Sequence, residues 1–287
     1  MIDLHLHTTA SDGRLSPVQL VTRAAAAGIT TMSVTDHDTV AALADVGLAA
    51  AAREIRLVPG IEVTSVADGR DVHLLGYFFD PASVPLLMFL EGQRAQRVSR
   101  VREIGDRLQR LGMPVDVEAL VSTAALRPGT SVGRPQIARA LVSAGHVSSV
   151  QEAFERWLAT GLPAFVPRTG PSPAAVVDVI HAAGGVASFA HPGVTKRDDL
   201  IRPLADRGLD AIEIYHSDHQ GEDVQQYRGL AQRLGVLVSG GSDFHGQDPQ
   251  APTEKSRARR STLGVVMLPP DDFAALECRA GERRRPA

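Results

Sequence analysis

The chain has 287 residues, 44% of them hydrophobic, and a formal net charge of −3. That is enough apolar material for one large domain, or one domain carrying a smaller one, and the charge excludes a broad basic face for duplex nucleic acid. A single cysteine, Cys278, excludes a disulfide framework and a thiolate metal cluster, while the lack of a long apolar run or a secretory leader excludes a membrane span and points to the cytoplasm. Any metal site must then use His, Asp and Glu, a donor set that suits Mn, Fe or Zn.

The first residues, Met-Ile-Asp-Leu-His-Leu-His, alternate like a strand, with Ile2, Leu4 and Leu6 on one face and Asp3, His5 and His7 on the other. Two imidazoles on one face of a rigid element can grip an ion, although a half-buried strand that happens to carry two histidines explains the pair equally well. Asp12 follows in a turn-like Ser-Asp-Gly that can swing a carboxylate back over the strand end. Ser16-Pro17 opens a helix that closes near Gly28. A strand over 30–35 runs into Asp36-His37-Asp38-Thr39, a helix covers 40–53, and strands over 56–64 and 71–79 carry Glu62 and His73. Asp38-Thr39 reads as a cap for the helix that follows, and Asp36 as a carboxylate that orients a ligand histidine.

From about 85 to 167 the strand-like runs stop, and 94–111, 134–144 and 150–160 read as amphipathic helices. Strands then resume at 185–189, ending in Ala190-His191-Pro192, and at 211–215, ending at His216. Another covers 235–239 before Gly241-Ser242-Asp243-Phe244-His245, and a last one covers 263–268. Helices over 173–183, 196–207 and 223–234 separate them. The alternation predicts an α/β barrel from 1–84 and 168–270, an all-helical insertion over 85–167 and a C-terminal tail over 271–287, disordered from Arg279 onward.

The histidines are not scattered. His5, His7, His37, His191, His216 and His245 fall at or just after predicted strand ends, as do Asp12, Glu62 and Asp243. In parallel α/β barrels those ends form the face that carries active sites. His73, early in its own strand, is harder to place.

His5-Leu6-His7 with Asp12, Thr35-Asp36-His37-Asp38-Thr39, Gly60-Ile61-Glu62-Val63-Thr64, Ala190-His191-Pro192-Gly193 and Gly241-Ser242-Asp243-Phe244-His245-Gly246 together resemble the PHP (polymerase and histidinol phosphatase) family over nearly all of the predicted barrel. The resemblance implies a distorted (β/α)7 barrel with a trinuclear metal centre. It gives the first metal to His5, His7, Glu62 and Asp243, the second to Glu62, His73 and His191, and the third to Asp12, His37 and His245. Manganese is the expected ion, with iron or zinc as alternatives. Three divalent ions set against three carboxylates and one bridging hydroxide leave roughly +2, which matches a phosphomonoester dianion attacked by that hydroxide.

His216 has no ligand role in this pattern, which makes it the candidate leaving-group acid or substrate contact, unless hydrogen bonds at the strand end already satisfy it. Arg134, in Gly133-Arg134-Pro135 at a helix start, is a candidate phosphate contact, against a solvated cap. Gln136 stands where many relatives carry histidine. Lys196 and Arg197 are further substrate candidates, and the basic stretch 247–261 is a candidate lid against a plain surface loop.

The motif forms resemble most the subgroup acting on nucleotides, either on the 3′-phosphate of nucleoside 3′,5′-bisphosphates or on short single-stranded RNA from its 5′ end. Only 4% of residues are aromatic, with Trp157, Phe165 and Tyr215 available for stacking, which favours the small nucleotide. Histidinol phosphate leaves the insertion arginine without a role, and a non-catalytic nucleotide-binding module leaves a full ligand set unexplained.

Overall fold

A computed structural model describes residues 1–126, 129–246 and 262–284. Within them one seven-stranded sheet runs in chain order: β1 (Ile2–Leu6), β2 (Thr31–Val34), β3 (Arg56–Ala67), β4 (Arg70–Tyr77), β5 (Val186–Phe189), β6 (Ala211–Tyr215) and β7 (Leu237–Gly240). The sheet curls until its edges meet. Leu6 bridges Phe244, and the His7 N–H donates to the Phe244 carbonyl at 3.0 Å. This is the distorted α/β barrel expected from the sequence.

One strand departs from the parallel pattern. Asp68 and Gly69, with φ of 49° and 72°, form a two-residue turn that folds β4 antiparallel onto β3. An Asp-Gly pair between strands favours this type I′ hairpin, because both positions need positive φ. Reversal carries the start of β4 to the end of the sheet where the other strands finish. His73, opposite Thr64, therefore reaches the same face as the strand-end histidines.

Helix α1 (Pro17–Ala26) starts at the Ser16 cap, which pairs reciprocally with Gln19. Helix α2 (Leu43–Ala51) starts later than expected, because Asp38 does not cap it. Asp38 is buried with φ 53°, and its Oδ1 accepts the Thr64 N–H at 2.9 Å while its Oδ2 accepts Arg97 Nε at 2.5 Å.

Between β4 and β5 the chain is helical. Helix α3 (Val84–Arg110) places Leu86 and Leu90 in the barrel core and Val101, Ile104 and Leu108 in a second apolar cluster. Helices α4 (Val117–Ala125), α5 (Arg134–Ser143) and α6 (Val150–Ala153), the last continued by a wide turn Phe154–Leu158, complete that cluster. Sequence patterning missed α4, which has no fully buried residue; its available signal was the Asp116 cap on the Ala119 N–H.

After α7 (Pro173–Ala182) and β5 comes a short first piece, α8 (Pro192–Thr195), and the span 196–207, expected as one helix, holds only a 3-10 turn (Asp198–Leu200) and α9 (Ile201–Ala205). Lys196, at φ 53°, ends the first piece. Helix α10 (Gly221–Leu234) follows β6.

Two expectations fail at the C-terminus. Residues 263–268 form no strand, although the Leu268 N–H donates to the Ile2 carbonyl at 3.0 Å. The stretch from Arg279, expected to be disordered, instead ends helix α11 (Pro270–Arg283), with Phe273, Leu276 and Ala280 buried. Its charge misled the reading because Arg279 and Arg283 turn onto buried Asp210, at 3.3 and 2.6 Å. No helix among the described residues is long and apolar enough to cross a membrane.

Candidate metal centre

The alternation of β1 sends His5 and His7 into the barrel mouth, where both are fully buried. His5 Nε2 lies 3.2 Å from Glu62 Oε2 and 3.3 Å from Asp243 Oδ1, and His7 Nε2 lies 3.2 Å from each of the same two atoms. The loop after β1 folds tightly back, which requires glycine at position 13. A Cβ there would sit 2.5 Å from the His7 carbonyl. Asp36 holds this loop by accepting the Thr8 N–H at 2.8 Å and the Thr8 and Ser11 hydroxyls at 2.6 Å each, so it positions the Asp12 loop rather than a histidine ring. Asp12 then stands 3.2 Å from His245 Nε2 and 3.6 Å from His37 Nε2.

Glu62 sits at the middle of the cluster. Its Oε2 is 3.3 Å from His37 Nδ1 as well as close to His5 and His7, while its Oε1 is 2.7 Å from His73 Nδ1 and 3.0 Å from His191 Nε2. Three sets of potential ligand atoms come together: His7, Asp12, His37 and His245; His5, His7, Glu62 and Asp243; and His37, Glu62 and His73. These contain every residue expected from the sequence except His191, which joins through Glu62. His7 and His37 each stand in two sets, so the division between sets is less sharp than the one the resemblance implied. His191 at φ 27° and Asp243 at φ 53° hold backbone conformations unfavourable for residues with a Cβ. Such strain collects at functional sites, where surrounding contacts enforce it.

The donors fit divalent cations. His7 Nδ1 and Nε2 and His37 Nδ1 are buried without a hydrogen-bond partner, an arrangement that costs free energy unless something else uses those lone pairs. Burial opposes protonation of His7, yet the carboxylates of Asp243 and Glu62, each 3.2 Å from its Nε2, outweigh it and lift its pKa to about 10. Burial likewise opposes charge on Asp12 and Glu62, but the imidazoles around them hold both carboxyls well below the usual carboxylate range. Burial pushes His37 the other way, down to about 3. The cluster is anionic enough to pull protons onto buried rings, and cations compete for those same lone pairs.

The remaining candidates divide. Arg134 lines a pocket with His73 and His191, and its guanidinium donates to Asp71 at 3.1 Å and to the Leu158 carbonyl at 3.3 Å. Gln136 donates to the Ser11 carbonyl, tying the insertion to the Asp12 loop. Arg197 is committed elsewhere, to Asp68 at 2.7 Å and Asp199 at 2.9 Å, where it staples the β3–β4 turn. Lys196 lines a separate hollow with Asp198, Asp199 and Asp223.

His216, the candidate leaving-group acid or substrate contact, is buried beside Asp243. Its side chain is 0% exposed; Nδ1 accepts the Asp218 N–H at 3.1 Å, leaving an Nε2 proton facing Asp243 Oδ2 at 3.3 Å. Burial lowers its pKa, as suits a neutral ring that supports the Asp243 carboxylate. The basic stretch 247–261 lies outside the described residues. Sequence reasoning missed Glu213, which is buried beneath His5 and His191.

The PHP domain matches residues 3–160. Over 85% of its length this chain is 37% identical to a 5′-3′ exoribonuclease of Haemophilus influenzae, covering 89% of that protein. It is 36% identical, again over 85% of its length and 87% of the other, to a 3′,5′-nucleoside bisphosphate phosphatase of Chromobacterium violaceum. A solved structure of an amidohydrolase from Chromobacterium violaceum, with bound sulfate and no metal, superposes with a TM-score of 0.82 at 32% identity, covering 97% of this chain and 96% of that one. With a domain match over more than half of its length and relatives of this identity, the chain belongs to the PHP-domain family of phosphoesterases.

Proposed function

We propose that this enzyme removes the 3′-phosphate from nucleoside 3′,5′-bisphosphates, with three divalent cations, Mn²⁺ by preference, held by His5, His7, Asp12, His37, Glu62, His73, His191, Asp243 and His245. Bound there, such cations supply positive charge for phosphoryl oxygens and lower the pKa of water. One observation carries the choice of substrate. A pocket of about 490 Å³ runs from the cluster edge at His73 and His191 to Arg134 and Phe165. That volume lies within the range of small-molecule sites.

Arg134 is ready for a second phosphate. Its guanidinium lies 5.9 Å from the Phe154 ring centre and 5.7 Å from that of Phe165, and Asp71 holds it in place. A planar cation fixed in this way binds a phosphate dianion with little further loss of freedom. Asp243, braced by His216, and Glu62 hold the cluster against which the scissile phosphate lies. The helices between β4 and β5 act as the substrate cap. The single cysteine, free and exposed, suits a reducing cytoplasm.

A second reading is 5′–3′ cleavage of short RNA. It is favoured by another hollow of about 510 Å³ beside the Asp12 loop, lined by Ser11, Arg14, Leu120 and Arg139, where a following nucleotide would lie.

Arg134→Ala tests the first reading. Its kcat/KM on adenosine 3′,5′-bisphosphate should fall by roughly 30- to 150-fold, the worth of about 2–3 kcal/mol for a charge-assisted contact. Adenosine 3′-monophosphate, lacking the second phosphate, should lose less than about threefold. Equal losses on the two substrates would remove Arg134 from recognition.

A further inference from the structure

Glu213 is the third residue of β6, in Ala-Ile-Glu-Ile-Tyr, and its side chain is completely buried. A buried carboxylate in an apolar strand needs partners that repay its desolvation. Both of its partners belong to the metal cluster. Oε1 lies 2.8 Å from His5 Nδ1, and Oε2 accepts the backbone N–H of His191 at 2.8 Å. The ring of His5 stacks against that of His191, with centroids 5.8 Å apart and planes at 23°.

Glu62 meets the same two histidines through their ring Nε2 atoms, whereas Glu213 holds the His5 ring at Nδ1 and His191 at its backbone. The Oε2 of Glu62 faces His5 Nε2 at 3.2 Å, and its Oε1 faces His191 Nε2 at 3.0 Å. One carboxylate therefore spans the two histidines from the cluster side and another spans them from beneath. Glu213 also determines which His5 nitrogen is free. A ring whose Nδ1–H donates to a carboxylate presents an unprotonated Nε2 toward Glu62 and Asp243. At His191, Glu213 accepts the N–H of a residue held at φ 27°, and so secures a strained turn.

We infer that Glu213 is a positioning residue that joins the His5 side and the His191 side of the cluster into one unit, fixing their separation so that the two metal positions fill together. The inference rests on the metal reading proposed above. Replacing Glu213 by Gln keeps the size but leaves one carbonyl oxygen for two donors. Either His5 or the His191 N–H then faces an amide NH₂.

The test uses full-length protein stripped with a chelator and titrated with Mn²⁺ alone, with bound metal counted and low-temperature EPR recorded. Wild type should show a spin-coupled Mn pair. Glu213→Gln should keep its circular dichroism and most of its metal-free melting temperature, yet bind that pair roughly 10- to 100-fold more weakly, as losses of such supporting contacts do. The coupled signal should fade. A variant with wild-type affinity and coupling would overturn the inference alone, whereas wild type that takes up no Mn²⁺ would overturn the metal reading as well.

A measurement on wild type guards against a variant that does not fold. In Zn²⁺-loaded protein, nitrogen NMR should find His5 protonated at Nδ1 and metallated at Nε2. The opposite tautomer would overturn the role of Glu213.

Discussion

Glu62→Gln should lower kcat by at least roughly a thousandfold, a loss of about 4 kcal/mol in transition-state stabilisation, and should leave the protein short of metal at any practical Mn²⁺ concentration. The effect is large because one carboxylate serves five rings. Its two oxygens lie 2.7–3.3 Å from nitrogens of His5, His7, His37, His73 and His191. Glutamine removes one of the three negative charges at the cluster centre and turns an NH₂ toward lone pairs that must face cations. Position and packing hardly change, so the fold should persist, and metal counting on the purified variant separates lost ligation from misfolding. Activity within tenfold of wild type would show that Glu62 is peripheral.

Gly241→Ala should be nearly as damaging for a different reason. A Cβ at this position would lie 2.2 Å from the His5 backbone nitrogen and 2.4 Å from its Cβ. Those atoms belong to β1, where the curled sheet closes, and cannot rotate away. Ser242 next door donates its N–H to Asp3 at 2.9 Å, and the Phe244 carbonyl receives the His7 N–H. Pushing the two segments apart would separate His5 from Asp243 and break both bonds. A cost of about 3–4 kcal/mol is expected, enough to lower the melting temperature by roughly 6–16 °C in a domain of this size. Gly221→Ala is the control, since nothing lies within 4 Å of its added Cβ. Similar melting temperatures for the two variants would refute the close approach.

The strand-end histidines were legible because each rests on local pattern. Alternation in residues 1–7 sets the facing of His5 and His7, and a strand running into Asp-His-Asp or Ser-Asp-Phe-His announces its own end. What escaped depends on partners distant in the chain. Glu213 lies 208 residues from His5, and an acidic residue inside an apolar strand has no local sign of what it will meet. Arg197 looked available beside His191, yet Asp68 in the β3–β4 turn and Asp199 take it. The tail was misjudged by the same route: charge suggested solvent, while Asp210 waited at the base of β6. His73 is the middle case. The Asp68-Gly69 pair is the local signal of the hairpin that turns β4 around and explains its place.

The proposed activity is tested most directly by assaying the Mn²⁺-loaded enzyme on adenosine 3′,5′-bisphosphate and on a 5′-phosphorylated RNA oligomer, each at limiting concentration. The pocket joining His73 and His191 to Arg134 predicts that the bisphosphate has the higher kcat/KM, with inorganic phosphate and adenosine 5′-monophosphate as products. RNA shortened from its 5′ end with a markedly higher kcat/KM than the bisphosphate would contradict this and move the second hollow, beside Asp12, to the centre of substrate recognition.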